Sequence, residues 1–236
     1  MTSKIVRQHL LKALETLGRR IRRLRRAVRK LVRENGLLKA RCAELEIRCA
    51  ELEELSTTDP LTQLPNLRDY EIRGVRLLTS VQWEWNSGSE RTCFVVYLDI
   101  DNFKPVNDTL GHDFGDKVLK VLSRVLRSST RRNDIIARLG GDEFVAILHQ
   151  EELTEAIRFA RRIASRFGEE VDVVIPRESS VAPSLSFGIH SFAKADLENG
   201  LSGIELLREL TKKAEGALRL GKKTEKGNIT ISQPPC

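Results

Sequence analysis

Two short acidic runs hold the residues best suited to chemistry. Asp99-Ile100-Asp101 closes on the apolar run "CFVVYLD" (93–99), and Gly140-Gly141-Asp142-Glu143 separates "DIIARL" from "FVAILHQ". Carboxylate oxygens suit hard cations such as Mg²⁺, which take one or two of them together with substrate phosphates. A pair of such ions stabilises both the attacking and the leaving oxygen of a phosphoryl transfer. The two glycines would let a bulky nucleotide approach the backbone closely. Spacing alone leaves two readings open: a metal-dependent nucleotide site, or a solvated acidic turn on a hairpin.

The surrounding elements decide whether the acids can meet. "DIIARL" and "FVAILHQ" are short apolar strands joined only by the GGDE turn, hence a hairpin. If it pairs beside strand 93–99, the carboxylates converge at one edge of the sheet. Apolar spacing predicts helices at about 67–80, 113–130, 152–168 and 203–220. "VDVVI" (171–175), "SLSFGIHSF" (184–192) and "NITIS" (228–232) read as further strands. The fold class is α/β, one sheet with helices packed on it, and the hairpin argues against an all-parallel sheet.

The totals restrict the class further. The chain has 236 residues and a net charge of +7, but residues 1–40 alone carry 13 Lys/Arg and 2 Glu. The basic character therefore belongs to the N-terminal segment, and the rest is mildly acidic. No window holds the roughly 18 apolar residues of a membrane span, and no secretory signal is apparent. Cys42, Cys49, Cys93 and Cys236 form no CxxC pair and no metal spacing. A bacterial cytoplasmic protein with reduced thiols is the expectation.

Residues 1–55 have the pattern of a zipper. Leucine recurs every seventh residue at Leu10, Leu17, Leu24, Leu31, Leu38, Leu45 and Leu52. A second series, Leu14, Ile21, Val28, Asn35, Cys42 and Cys49, follows four residues behind. Leucine at d and β-branched residues at a favour a parallel two-stranded coiled coil, and the lone Asn35 at a fixes register. From Leu10 to Leu52 such a helix runs about 63 Å. The pairs Glu34–Lys39, Arg41–Glu46 and Arg48–Glu53 attract across the seam, whereas Arg20–Arg25 repels. The stripe Arg19 to Lys30 reads either as a docking site for a polyanion or protein partner, or as a solvated face. Residues 56–66, "STTDPLTQLPN", read as a polar, proline-bearing hinge.

The stretch "DIDNFKPVNDTLGHDFGD" (99–116) resembles the DxDxFKxxND…GHxxGD signature of the GGDEF family, the diguanylate cyclases. "RLGGDEF" is similar to that family's defining turn, "TDPLTQLPN" to its opening DxLTGLPN, and "SLSFGIH" to its SxGxA-type strand. "ALRLGKKTEK" (217–226) is similar to its ALYxAKxxGR stretch. The motifs stand in family order from residue 57 to about 232. The resemblance implies a GGDEF domain over 57–236, with a nucleotidyl-cyclase, ferredoxin-like α+β fold and a mostly antiparallel sheet. It implies condensation of two GTP into cyclic di-GMP with release of two pyrophosphates.

The implied residue roles are specific. Asp99, the carbonyl of Ile100, Asp142 and Glu143 would hold two Mg²⁺ or Mn²⁺ ions, and Asp142 would also be the base. Asn107 and Asp116 would bind guanine, with His112 helping to hold the nucleotide. Phe103 and Lys104 would support the phosphate loop, Gly140 and Gly141 would give GTP room, and Lys222 and Lys226 would neutralise phosphates. Arg131 and Asp134, an RxxD nine residues before Gly140, would form a product-inhibition site. One domain binds one GTP, so the family reaction needs a homodimer, which the zipper residues Leu17 to Leu52 would supply. Gln63 departs from the family's glycine in the opening motif. Two other readings compete: a catalytically silent cyclic di-GMP receptor signalling through the coil, and a basic-zipper nucleic-acid binder.

Overall fold

The computed structural model describes residues 2–55, 57–88, 92–150, 152–176, 179–197 and 200–232. Side chains are described for these residues except 2–16, 27, 50, 51, 53–55 and 150. The zipper positions Leu10 and Leu14, the partner residue Glu53 and Cys236 therefore lie outside the described side chains. The chain divides into two compact units, residues 1–55 and 56–236.

The first unit is a single helix, α1 (Thr2–Leu55). It is rich in Leu, Arg, Lys, Glu and Ala, all good helix formers, and holds no proline. Leu17, Ile21, Leu24, Val28, Leu31, Leu38, Leu45 and Leu52 are all exposed along it. Such a stripe is stable in water only when a second apolar surface covers it. Exposed i,i+3 and i,i+4 pairs, Arg41–Glu44 at 2.6 Å and Lys30–Glu34 at 3.7 Å, run along its polar side.

The second unit is a five-stranded sheet between two layers of helices. Its elements are α2 (Leu67–Asn86), β1 (Thr92–Asp101), α3 (Phe103–Leu110), α4 (His112–Ser129), β2 (Ile135–Gly140), β3 (Glu143–Gln150), α5 (Leu153–Val171), β4 (Ser184–Phe192), α6 (Gly203–Thr224) and β5 (Ile229–Ile231). The strand order is β2-β3-β1-β4-β5, and only the β4–β5 pairing is parallel. Strand alternation sends Phe94, Val96, Leu98 and Ile100 of β1 to one face, where the α4 and α5 side chains pack. Cys93, Val95 and Tyr97 go to the other face, beneath α2 and α6. Burial pushes the Cys93 thiol up to about 12, so it is an inert core residue.

One expected strand is corrected. Residues 171–175, read as a strand, are the last position of α5 and a turn closed by Val174 N–H and Ile175 N–H donating to Val171 O, both 2.9 Å. Ala156, Phe159, Ala160, Ile163, Phe167 and Val171 keep helical spacing and are all buried. Val171 thus completes an amphipathic helix, and Val173 beyond it lies in solvent. Helices α2 and α6 each run several residues past their expected ends, and the polar stretch after β1 contributes the additional short helix α3.

Candidate active site

β3 pairs antiparallel with β1, and the register sets Asp99 opposite Glu143. The expected convergence of the two acidic runs is therefore realised by sheet pairing. Asp99 and Asp101 continue the Val95–Tyr97 side of β1, and Glu143 continues the Val145–Ile147 side of β3. All three carboxylates consequently project on the face that α6 covers. Ile100 packs on the opposite face, so its backbone carbonyl is the group it can offer.

The GGDE turn is shaped by its glycines and by one arginine. Gly141 has φ +51°, a left-handed conformation in which a side chain is disfavoured. Arg138, just before the turn, donates from Nε and Nη2 to the Gly141 carbonyl at 3.1 and 2.7 Å. Its Nη1 donates to both carboxylate oxygens of Asp59 at 3.0 and 3.1 Å. Burial raises the Asp59 pKa, but hydrogen bonds from Thr62 and Arg138 outweigh it and hold the carboxyl below its ordinary value. The residues read as a hinge thus form, from Thr57 onward, a hydrogen-bonded turn fastened to the acidic hairpin, with Thr58 bridging Pro65.

Lys222, near the end of α6, reaches into the carboxylates. Its Nζ donates to Asp99 Oδ1 and stands 3.1 Å from Asp101 Oδ1. Burial acts to lower the lysine pKa, but Asp99 and Asp101 reverse the shift and raise it. Burial raises the Asp99 pKa, the charges of Asp142 and Asp101 add to this, and Lys222 offsets only part. The edge therefore carries more negative charge than one lysine neutralises. Among the described residues no three acidic, His or Cys side chains stand close enough to form a complete metal cage. The donor set nevertheless fits a hard divalent ion that shares its coordination with phosphate oxygens.

Asp101 is the buried anchor of this edge. Its Oδ2 accepts from Ser186 Oγ at 2.7 Å, Gly227 N–H at 2.9 Å and Ser184 Oγ at 3.1 Å. Oδ1 is buried and accepts no hydrogen bond, although Lys222 is near. Asp101 so ties β1, β4 and the loop after α6 together. Lys226 on that loop donates to Asn102 Oδ1 at 2.9 Å, which sets the second lysine beside the end of β1.

The expected base-reading residues lie on α3 and α4. Phe103 and Lys104 open α3, with Phe103 half-buried against the core and Lys104 exposed. Asn107 is half-buried, and its Oδ1 would lie 1.9 Å from any Cβ at Gly115. Gly115 thus lets α4 pass directly over Asn107. His112 and Asp116 are exposed at the start of α4.

Arg131 and Asp134 stand apart from this group, before the first residue of β2. Asp134 and Gly140 stand six residue steps apart along β2, about 20 Å. Asp134 is buried, and its Oδ2 accepts from Arg131 N–H at 2.8 Å. The Arg131 guanidinium points outward, 3.8 Å from Glu155. Arg73, Arg76, Arg132 and His149 line an adjoining groove.

Comparison with known proteins identifies the family and agrees with the fold. The family described as "Diguanylate cyclase, GGDEF domain" matches residues 56–228. The chain belongs to the GGDEF family. Diguanylate cyclase A of Treponema denticola is 32% identical over 182 residues, covering 76% of this chain and 45% of that protein. The chain spans less than half the length of the curated relatives it matches. The GGDEF domain of DgcB from Caulobacter crescentus, solved in complex with c-di-GMP, superposes with a TM-score of 0.62 at 26% identity. That likeness covers 76% of this chain and 97% of the other. The coiled coil and GGDEF domain of the same protein superpose with a TM-score of 0.61 at 25% identity, covering 84% and 98%.

Two features of the GGDEF domain were not assigned from the sequence. Asp101 carries a weak signal, since its position two residues after Asp99 gives both the same face. The Asp59–Arg138 pair, 79 residues apart, leaves none in local pattern.

Proposed function

We propose that the chain is a diguanylate cyclase that joins two GTP molecules into cyclic di-GMP. The observation that carries this reading is the register of Asp99 against Glu143, with Lys222 drawn to the same sheet edge. Asp99, the Ile100 carbonyl, Asp142 and Glu143 would hold Mg²⁺ or Mn²⁺, two per site. Such ions, when bound, neutralise charge that develops on the transferring phosphoryl group. Asn107 and Asp116 hold guanine, with His112 at the nucleotide and Phe103 and Lys104 under the phosphates. Gly140 and Gly141 leave room for them. Asp142 takes the proton from a ribose 3′-hydroxyl. The new 3′-oxygen bond to the α-phosphorus of the other GTP forms as the bond to the β-phosphate oxygen breaks. Lys222 and Lys226 neutralise the departing pyrophosphate. A second, reciprocal step closes the ring and releases a second pyrophosphate.

Each domain offers one nucleotide site, so two chains must face each other. We assign residues 1–55 to that task as a parallel coiled coil, the start of the segment 56–66 to the elbow that aims the domains, and 57–236 to catalysis, with 57–66 as the turn that Arg138 fastens to the acidic hairpin. Residues Leu17 to Leu52 at a and d, including Asn35, Cys42 and Cys49, form its seam. The exposed stripe on α1 and the likeness to a solved coiled coil with GGDEF domain support this assignment. Arg131 and Asp134, with the arginine-lined groove beside them, would bind the product and restrain turnover. We assign the chain to the bacterial cytoplasm, where GTP is at hand, and no described helix is long and apolar enough to cross a membrane.

The same RxxD groove would also serve a catalytically silent receptor. Incubation of the purified chain with GTP and Mg²⁺, followed by chromatography, separates the two. Cyclic di-GMP and pyrophosphate are the expected products. Binding of cyclic di-GMP without any turnover of GTP would leave the receptor reading standing.

A further inference from the structure

Between Gly18 and Glu34 the chain carries eight arginines, one lysine and no acid. All nine cations are exposed on α1, and the described ion pair of Lys30 with Glu34 spans 3.7 Å. Seven fall at heptad positions b, c and f, facing away from the seam. The other two, Arg20 at g and Arg25 at e, would oppose each other across a parallel pair. The reading that follows rests on the coiled-coil dimer proposed above.

Zipping two such helices creates a dense polycation. Eighteen positive charges would lie along about 22 Å of coil, on the order of one per 1.2 Å. Duplex DNA, which condenses counterions, carries about one charge per 1.7 Å. The basic half of the coil therefore resists its own closure, and a multivalent anion that replaces its condensed counterions would relieve that repulsion. The paired coil presents twice the charge of a single helix. A polyanion accordingly binds the pair more tightly and, by linkage, shifts the chain toward the dimer.

The residues also select among polyanions. Residues 1–55 contain no Phe, Trp or Tyr, the aromatic platforms on which single-strand binders stack successive bases. The leucines continue through the basic stretch, so the helices stay zipped and no free basic helix enters a DNA groove. The b, c and f positions of the stretch are basic throughout, which leaves no apolar outer face to enter a bilayer. What remains to be recognised is phosphate itself, for which forked guanidinium groups are well suited. We propose that the basic half of α1 binds linear inorganic polyphosphate, and that this binding closes the coil and so brings the two GGDEF domains together.

Sedimentation of the full chain over a range of protein concentrations tests this, with and without long-chain polyphosphate. The dimer dissociation constant should fall on the order of tenfold. The effect should fade steeply with added salt. Tripolyphosphate, with the same groups but no length, should be ineffective. The variant R19Q/R22Q/R26Q/R29Q should dimerise without polyphosphate at least as well as the native chain and no longer respond to it. Glutamine is a good helix former, so circular dichroism should be unchanged. A dimer constant that polyphosphate leaves unmoved would overturn the proposal while the coil stands. Single-stranded RNA, duplex DNA or anionic vesicles acting equally well at the same phosphate concentration would overturn polyphosphate as the ligand. A chain that stays monomeric under every condition would remove the coiled-coil reading as well.

Discussion

Asp142 occupies the turn that Gly141 and Arg138 shape, at the edge where Asp99 already carries a raised pKa. The base role proposed for it is separable from folding, because the turn is fixed by the arginine and by the sheet register. Asp142→Asn keeps the shape and removes the basic oxygen. Turnover of GTP should fall by about a thousand-fold or more, with sedimentation unchanged. Wild-type turnover in this variant would exclude Asp142 as the base. Gln63 presents a different case. It sits at φ +58°, where a side chain is strained, and is held by Arg127 donating to its carbonyl and by its own Nε2 donating to Pro60 O at 2.8 Å. Gln63→Gly removes that strain but frees the unfolded chain. A net gain of roughly 0.5–1 kcal/mol is expected, since the left-handed cost is about 1–2 kcal/mol. Urea denaturation measures it, and a loss of stability would mean that the Nε2 contact outweighs the strain.

At the scale of elements, β4 and α6 are joined by a buried polar cluster. His190, fully buried on β4, faces Asp196 Oδ1 at 3.5 Å through Nε2 and Ser232 Oγ at 3.1 Å through Nδ1. Lys213 of α6 and the Ala193 N–H also bond to Asp196. Burial alone would raise the Asp196 pKa, but the adjacent His190 ring and the hydrogen bonds from Lys213 and Ala193 hold it down at about 2. A carboxyl depressed on folding adds stability that is complete above its unfolded pKa and is lost as pH falls through the folded one. Asp196→Asn should thus cost on the order of 2 kcal/mol at neutral pH. The gap between the two unfolding curves should close between about pH 4 and pH 2. A gap constant over that range would remove the charge from the explanation. This cluster was invisible in the sequence, since His190 and Asp196 are ordinary residues until β4 and α6 pack. The legible elements were those with strong periodicity, such as the hairpin and the face of α5. Residues 171–175 misled because the end of a buried helix face and a short buried strand are both brief apolar runs. Only the helix face, counted back to Ala156, tells them apart. The acidic site was legible as two runs and a family pattern, while the arginine that braces its turn came only with three-dimensional pairing.

For the whole molecule the question is how two half-sites find each other. In the reaction proposed above each GGDEF domain brings one GTP, so activity would depend on how often two domains meet. The proposed coil would replace that encounter with an effective concentration of about millimolar for short connections. Leu24, Leu31 and Leu38 sit at d in the middle of the exposed stripe of α1. Truncating a buried leucine to alanine costs roughly 2–5 kcal/mol in a packed core, and each substitution occurs twice in a dimer. L24A/L31A/L38A should therefore be monomeric at micromolar protein, while alanine preserves the helix. Its specific activity should fall by on the order of tenfold or more in dilute solution. It should then rise with protein concentration, because every residue of the active site is intact. That concentration dependence distinguishes lost assembly from a damaged site. Specific activity equal to that of the native chain at all dilutions would show that the domains pair without the helix, and the leucine repeat would then need another purpose.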